Sequence, residues 1–441
     1  MTPINLPHHP VTPGLDEQMD NRALRVNTDS LLDFFRTAAT PPVLAEVESQ
    51  KRWAAMRQNF LDMSQTSPMV QSAILAFSSL LSSRQPRSLV PHETKHYADA
   101  IEALSMYEYA PTVDYSQERE CLLAALFFLS YVDILESRLD GAYSHLKRAY
   151  SIFQDGNKSK FSAVEKKLLM WIRLLDGKAV SAGGDGIFLS KEDELAFVEA
   201  SPASFDGGGD VADEQAADDE VEDMLFQVLY QPGIIFFQKV QSFMARISKI
   251  DPWHRSRGTV EDETEVMNVG SEIAADLRTL YEQRPALMDY AVAGRLSQPH
   301  ISDHLARALS RAFRTYLANY YASKIHLHRV AYKTFPLSKE AAESLYQIRR
   351  LAKLIARDLD ADDAMPANML WPLLMLAVEE QNGQERAWIR EQILGMEKVV
   401  GNARITAQVI EEVQTRQEAA KGRMDIRTVM HAVFNAEFAI V

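Results

Sequence analysis

The sequence predicts an all-α protein: a large multi-helix domain of stacked helical hairpins, interrupted by an acidic disordered loop. Three observations carry that expectation. Gly and Pro number 18 each in 441 residues, which is low usage, so few tight turns are being made. Apolar residues recur at helical spacing. No run of alternating β-branched residues marks a strand.

Taken in order, the first 28 residues read as a disordered tail, followed by a helix over 30–37. Val43, Val47, Trp53, Met56, Phe60 and Met63 set the face of a helix over 42–63, and Val70, Ile74, Phe77, Leu80 and Leu81 that of 67–83. Helices follow over 91–108, 117–136, 139–154 and 162–180. In the third of these, Ala142, Leu146 and Ala149 pair small and large side chains as stacked hairpins do. Between Asp206 and Asp223 there are nine acidic residues and no Lys or Arg. That composition reads as an acidic linker over 201–222, dividing a first half (29–200) from a second (223–441). The linker also holds most of the formal charge of −14.

The second half predicts helices over 221–231 and 232–249, divided or kinked at Pro232-Gly233. More follow over 262–282, 301–334, 338–358, 367–381, 384–399, 402–420 and 424–434. The 301–334 segment, about 50 Å long at 1.5 Å per residue, is the natural spine.

Charge and cysteine usage exclude whole classes. Lys plus Arg is 47 against 61 Asp plus Glu, so a broad phosphate-binding face is not expected and the chain is not read as binding nucleic acid directly. Cys121 is the only cysteine, so neither an intramolecular disulfide nor a cysteine zinc module can form. No apolar stretch reaches membrane-spanning length, and the first residues lack a secretory pattern, so the chain reads as soluble and intracellular.

Several motifs invite chemistry and are better read as structure. His92-Glu93-Thr94-Lys95-His96 fits the HExxH zinc pattern. Lys95 inside the pair and Pro91 before it favour a solvated helix start, and no metal is assigned. His300 and His304 are explained by capping near Pro299, and His326 and His328, two apart on a helix, cannot share one ion, so one reads as packed and the other as exposed. Ser181 to Gly186, SAGGDG, follows a helix where a phosphate cradle would precede one, and so reads as a C-cap. Cys121 reads as a small core residue, and the Arg307, Arg311 and Arg314 stripe as a solvated face. Asp251 to Gly258, DPWHRSRG, sets Trp253, His254, Arg255 and Arg257 opposite Glu261, Asp262, Glu263 and Glu265. Internal ion pairing explains most of that arrangement, with a polar-lined pocket as the sharper reading.

Six stretches in order then resemble one family. They run from Arg52 to Leu81, Cys121 to Tyr150, Arg173 to Ser190, Leu229 to Val266, Tyr316 to Lys333 and Met369 to Glu380, the last containing MLWPLLMLAVEE. Together they resemble the regulatory helical domain of fungal Zn2Cys6 transcription factors, over nearly all of the chain from about Thr28. The resemblance implies a nuclear regulator of a fungal pathway such as secondary metabolism. It implies no cofactor, a DNA-binding or transcription-machinery protein partner, and a small-molecule effector. The six cysteines of the family's zinc cluster are not in this sequence, so DNA is read elsewhere: by a module missing from it or by a partner. The alternative is an enzyme or binding protein for an apolar small molecule on the same scaffold. The candidate pocket or polar cluster is Trp253, His254, Arg255, Arg257, Lys324, His326, His328 and Arg329; no catalytic residue is assigned.

Overall fold

The computed structural model describes residues 28–84, 94–108, 115–155, 161–189, 214–255, 257–296, 301–360, 363–434 and 439. Among them there are helices, turns and no strand. The first half comprises α1 (28–37), α2 (Gln50–Thr66), α3 (Pro68–Ser83), α4 (Lys95–Glu108), α5 (Tyr115–Leu135), α6 (Leu139–Asp155) and α7 (Ala163–Ala179). The second half comprises α8 (Glu214–Ser248), α9 (Val260–Glu282), α10 (Ala286–Val292), α11 (Asp303–Ala331) and α12 (Lys339–Arg357). It ends in α13 (Leu370–Ala377), α14 (Gly383–Gly395), α15 (Ala403–Ala420) and α16 (Ile426–Phe434).

Helix starts are written in the sequence. Ser49, Ser67, Ser302 and Ser338 each accept a backbone N–H three residues on. Ser162 with Glu165, and Thr259 with Asp262, close full capping boxes. Gly183, at φ 104°, ends the short 3-10 turn after α7, a backbone conformation that favours glycine.

Three elements differ from expectation. Helix α2 begins at Gln50, because Pro41 and Pro42 hold the preceding residues in a 3-10 turn over Pro42–Leu44. Helix α8 starts at Glu214, inside the segment read as linker. It also continues through Pro232 to Ser248 as one helix. Gly233 lies so close to α11 that a Cβ there would sit 2.2 Å from a Phe313 ring carbon, so the glycine serves helix contact and the pair does not divide the helix. The short α10, after Pro285, was not anticipated.

α3 packs on α4 and α5, α5 on α6 and α7, and α7 on α8. α11 is the spine, touching α8, α9, α10, α12 and α13. Trp53, Phe60, Phe128 and Trp171 interlock at ring separations of 5.0–6.3 Å in the first half. In the second half Phe237 stacks on Tyr316 at 4.6 Å. Where the halves meet, the hydroxyls of Tyr230 on α8 and Tyr316 on α11 both donate to the backbone oxygen of Glu46. Asn368 donates to the Glu46 carboxylate at 2.5 Å. Burial raises that carboxyl above the ordinary glutamate range, against the bond from Asn368 and the charges of Arg311 and Lys178.

Candidate functional site

A cavity of about 540 Å³ opens between the C-terminal ends of α7, α8 and α11, the start of α13 and the segment leading into α16. Its apolar lining includes Met244, Met267, Val330, Phe335, Trp371 and Met424. Its polar lining includes Asp251, Arg257, Glu263, His326, Arg329, Arg423, Asp425 and Arg427. A volume of this size lies within the range of about 300–1,000 Å³ usual for small-molecule pockets.

The wall is built from ion pairs that draw separate elements together. After α8 the chain turns at Asp251, whose Oδ1 accepts the backbone N–H groups of Trp253 and His254 and contacts the His254 Nδ1 at 3.0 Å. His254 Nε2 reaches the Gly183 carbonyl at 3.2 Å, tying the turn to the end of α7. The other Asp251 oxygen pairs with Arg427 at 3.0 Å. Arg427 also donates to the Val180 carbonyl and the Ser248 hydroxyl. Arg257 grips both oxygens of Glu263, at 2.6 and 2.5 Å, and donates to the carbonyls of Ile250 and Val330.

On the opposite side, Glu379 is shared by two arginines: Arg329 from α11, and Arg423 at 2.9 Å. Arg329 also donates to the Met424 carbonyl at 2.6 Å and to Gln417, and Arg423 to the Phe335 carbonyl at 2.6 Å. Burial pulls Arg329 below the ordinary arginine value, against the pull of Glu379. Burial likewise opposes ionisation of Asp425. Bonds from the Thr428 N–H, the Trp253 indole and the Thr428 hydroxyl outweigh it, and the carboxyl lies below the ordinary aspartate range.

At the cavity, the His326 and Trp371 rings meet edge to face at 5.2 Å and 85°. The imidazole Nδ1 and the indole Nε1 are both buried and have no hydrogen-bond partner among the described residues. Burial first, then the charges of Arg427 and Arg329, push the imidazole down to about 3 against Asp425, so it is neutral at physiological pH.

Of the eight sequence-predicted residues, Arg257, His326 and Arg329 line this cavity. Trp253 and His254 stand behind it, holding Asp425 and Asp251 in place. Arg255 pairs outward with Glu265, and Lys324 pairs with Glu340 at the start of α12. His328 is 7% exposed and packs near Tyr332 at 6.0 Å. The expectation of one packed and one exposed histidine is therefore corrected in part: α11 is enclosed by neighbours on several sides, so His328 is buried and His326 is half-buried. Trp371, Arg423, Asp425 and Arg427 were missed as site residues. For the last three, the alternation Arg423-Met424-Asp425-Ile426-Arg427 running into the last helix is the signal; Trp371 carries none.

The other motifs resolve as structure. His92, Glu93 and His300 lie outside the described residues. Among the described residues no group of three or more His, Cys, Asp or Glu is placed to hold a metal ion, and no helix is long and apolar enough to cross a membrane. Burial and the neighbouring Glu118 and Glu120 raise the Cys121 thiol, which opposes thiolate chemistry. Arg314 leaves the arginine stripe to pair with Asp358 at 2.5 Å, while Arg307 and Arg311 stay exposed.

Compared with known proteins, the chain matches one family, described as fungal specific transcription factor domain, over residues 30–432. No curated protein and no solved structure matches it.

Proposed function

The chain belongs to the fungal specific transcription factor domain family, and from that premise we propose that it regulates transcription of a fungal pathway by sensing a small molecule in the cavity at the base of α11. Its role is transcriptional regulation; secondary metabolism, a protein partner that reads DNA and residence in the nucleus are the finer parts of the proposal. The observation that carries it is a cavity walled by both halves of the chain. A molecule seated there acts on α11, which also carries the Tyr316 hydroxyl to Glu46 at the junction of the halves. Binding there biases the arrangement of the halves, which is how an effector changes the surface a partner meets.

Deleting the gene and sequencing transcripts tests the role. A coherent set of pathway genes should change; unchanged transcripts with an accumulating intermediate would replace the regulator by an enzyme. An Ile426→Trp variant, which fills the cavity from the α16 side, tests the sensing. With helicity and melting unchanged, it should hold those transcripts at one level whatever the growth medium. Wild-type responsiveness would refute sensing through this cavity.

A further inference from the structure

Resting on the reading of this cavity as an effector site, we propose that its ligand is an apolar molecule carrying one carboxylate, and that the carboxylate binds Arg423 and Lys333 at the mouth while the apolar body fills the interior.

The first support is the balance of charge. Five cations and three carboxylates line the cavity. Arg257 is matched by Glu263 and Arg427 by Asp251. Behind the wall, the single carboxylate of Glu379 serves both Arg329 and Arg423. Lys333 lines the cavity, is exposed, and has no ion pair among the described residues. Asp425 is the one lining carboxylate outside these pairs, and the Trp253 indole and the Thr428 N–H and hydroxyl already donate to it. With Glu379 included, the cations outnumber the carboxylates by one. A single negative charge on the ligand closes that difference.

The second support is an open donor. Arg423 gives its Nε to Glu379 and its Nη1 to the carbonyls of Lys333 and Phe335, so the guanidinium is fixed against the backbone of two exposed rim residues. Its Nη2 donates to no described residue and is not sealed from solvent, on a side chain that keeps 15% exposure. A guanidinium N–H bonds best to a carboxylate oxygen. At the mouth that carboxylate keeps part of its hydration, which limits the desolvation cost a fully buried anion would meet. Inward from the mouth, Met244, Met267 and Met424 offer an adaptable apolar lining for the rest of the molecule.

The full 441-residue chain is titrated calorimetrically with 2-naphthoate and 2-naphthamide, which share one shape and differ in charge. Naphthoate should bind about tenfold more tightly, the scale on which a charge-assisted bond exceeds a neutral one. Raising the salt from about 0.05 M to about 0.5 M should narrow that gap. Lys333→Met removes no side-chain bond of the described structure and should weaken naphthoate about two- to fivefold, the worth of an exposed pair. Lys333→Glu should close the gap between the probes, with naphthamide unchanged in both variants. Arg423→Met should also close it; should that variant fail to fold, Lys333→Glu decides. Ile426→Trp should abolish binding of both probes, which places them in this cavity. Equal affinities in the wild type, tighter naphthamide, no binding by either probe, or a preference that survives Lys333→Glu or Ile426→Trp each overturn the proposal. Transcripts in the Ile426→Trp strain keep the two claims apart. Transcripts held at one level there, with no preference in the titration, sink the carboxylate assignment alone. A clear preference with transcripts as responsive as wild type sinks the sensing reading alone.

Discussion

Replacing Glu379 by Gln keeps the shape of the side chain and removes the one negative charge that holds Arg329 and Arg423 together. The structure sets the size of the effect. The Glu379 side chain is 8% exposed, that of Arg329 6% and that of Arg423 15%. Removing one member of a buried ion pair costs about 3–5 kcal/mol, because the charge left behind stays desolvated. Here the amide oxygen still accepts one guanidinium and Arg423 has some access to water, so about 2–3 kcal/mol is expected. The loss should be local before it is global. Both arginines also donate to carbonyls, of Met424 and of Phe335, and so fasten the segment that enters α16. Urea unfolding gives the total. Hydrogen exchange over 423–434 gives the local part, with protection falling there and holding in α5, whose residues 122–134 are buried. Adding Arg423→Leu should recover part of the loss, since two guanidiniums no longer face one amide. A loss below about 0.5 kcal/mol, the size of an exposed pair, with unchanged exchange would refute the claim that this triad fastens the cavity wall.

Gly233→Ala sets helix propensity against packing: alanine favours the helix by about 1 kcal/mol, but its Cβ would lie 2.2 Å from the buried Phe313 ring. Overpacking costs about 1–3 kcal/mol, and the ring, stacked 6.0 Å from Tyr230, cannot swing aside, so chemical denaturation should show net destabilisation. For His326, burial lowers the folded-state value to about 3 from an ordinary 6.5. The unfolded chain therefore binds the proton first as pH falls between those values, and stability is lost over that window. His326→Phe should flatten the wild-type decline in urea midpoint from pH 7 to pH 4. Asp176 has the opposite sign: burial raises it to about 7 from 3.8, so the folded state holds the proton more tightly and stability falls as pH rises through that range. Asp176→Asn, which keeps an acceptor for the Phe188 N–H, should be at least as stable as wild type at pH 8 by thermal unfolding, and lower stability there would refute the reading.

The all-α class and most of its elements were legible because helix period and capping are local. Ser162 with Glu165 and Thr259 with Asp262 announce helix starts within four residues, and the Gly-rich SAGGDG announces an end. What was not legible is what depends on a distant partner. Pro232-Gly233 carries the sequence signature of a break, and only Phe313, eighty residues on, shows that the glycine admits a ring while the helix continues. Glu46 and Glu48 look like surface residues of an amphipathic helix. They are buried because Asn368, Tyr230, Tyr316 and Trp171 converge on them from both halves.

The site divides in the same way. Arg257 and Glu263 were found together because six residues and a turn separate them. His326 and Arg329 were found because a histidine and an arginine in an apolar helix stand out. Their partners Glu379, Trp371 and Arg427 lie far along the chain, in stretches whose local patterns are those of core and of a last-helix entrance. Trp371 sits in an almost wholly apolar run and reads as packing, which it also is. Its indole N–H becomes informative only once the fold shows that nothing satisfies it. An unmet hydrogen bond is a property of the surroundings and leaves no trace in a residue's own neighbours along the chain.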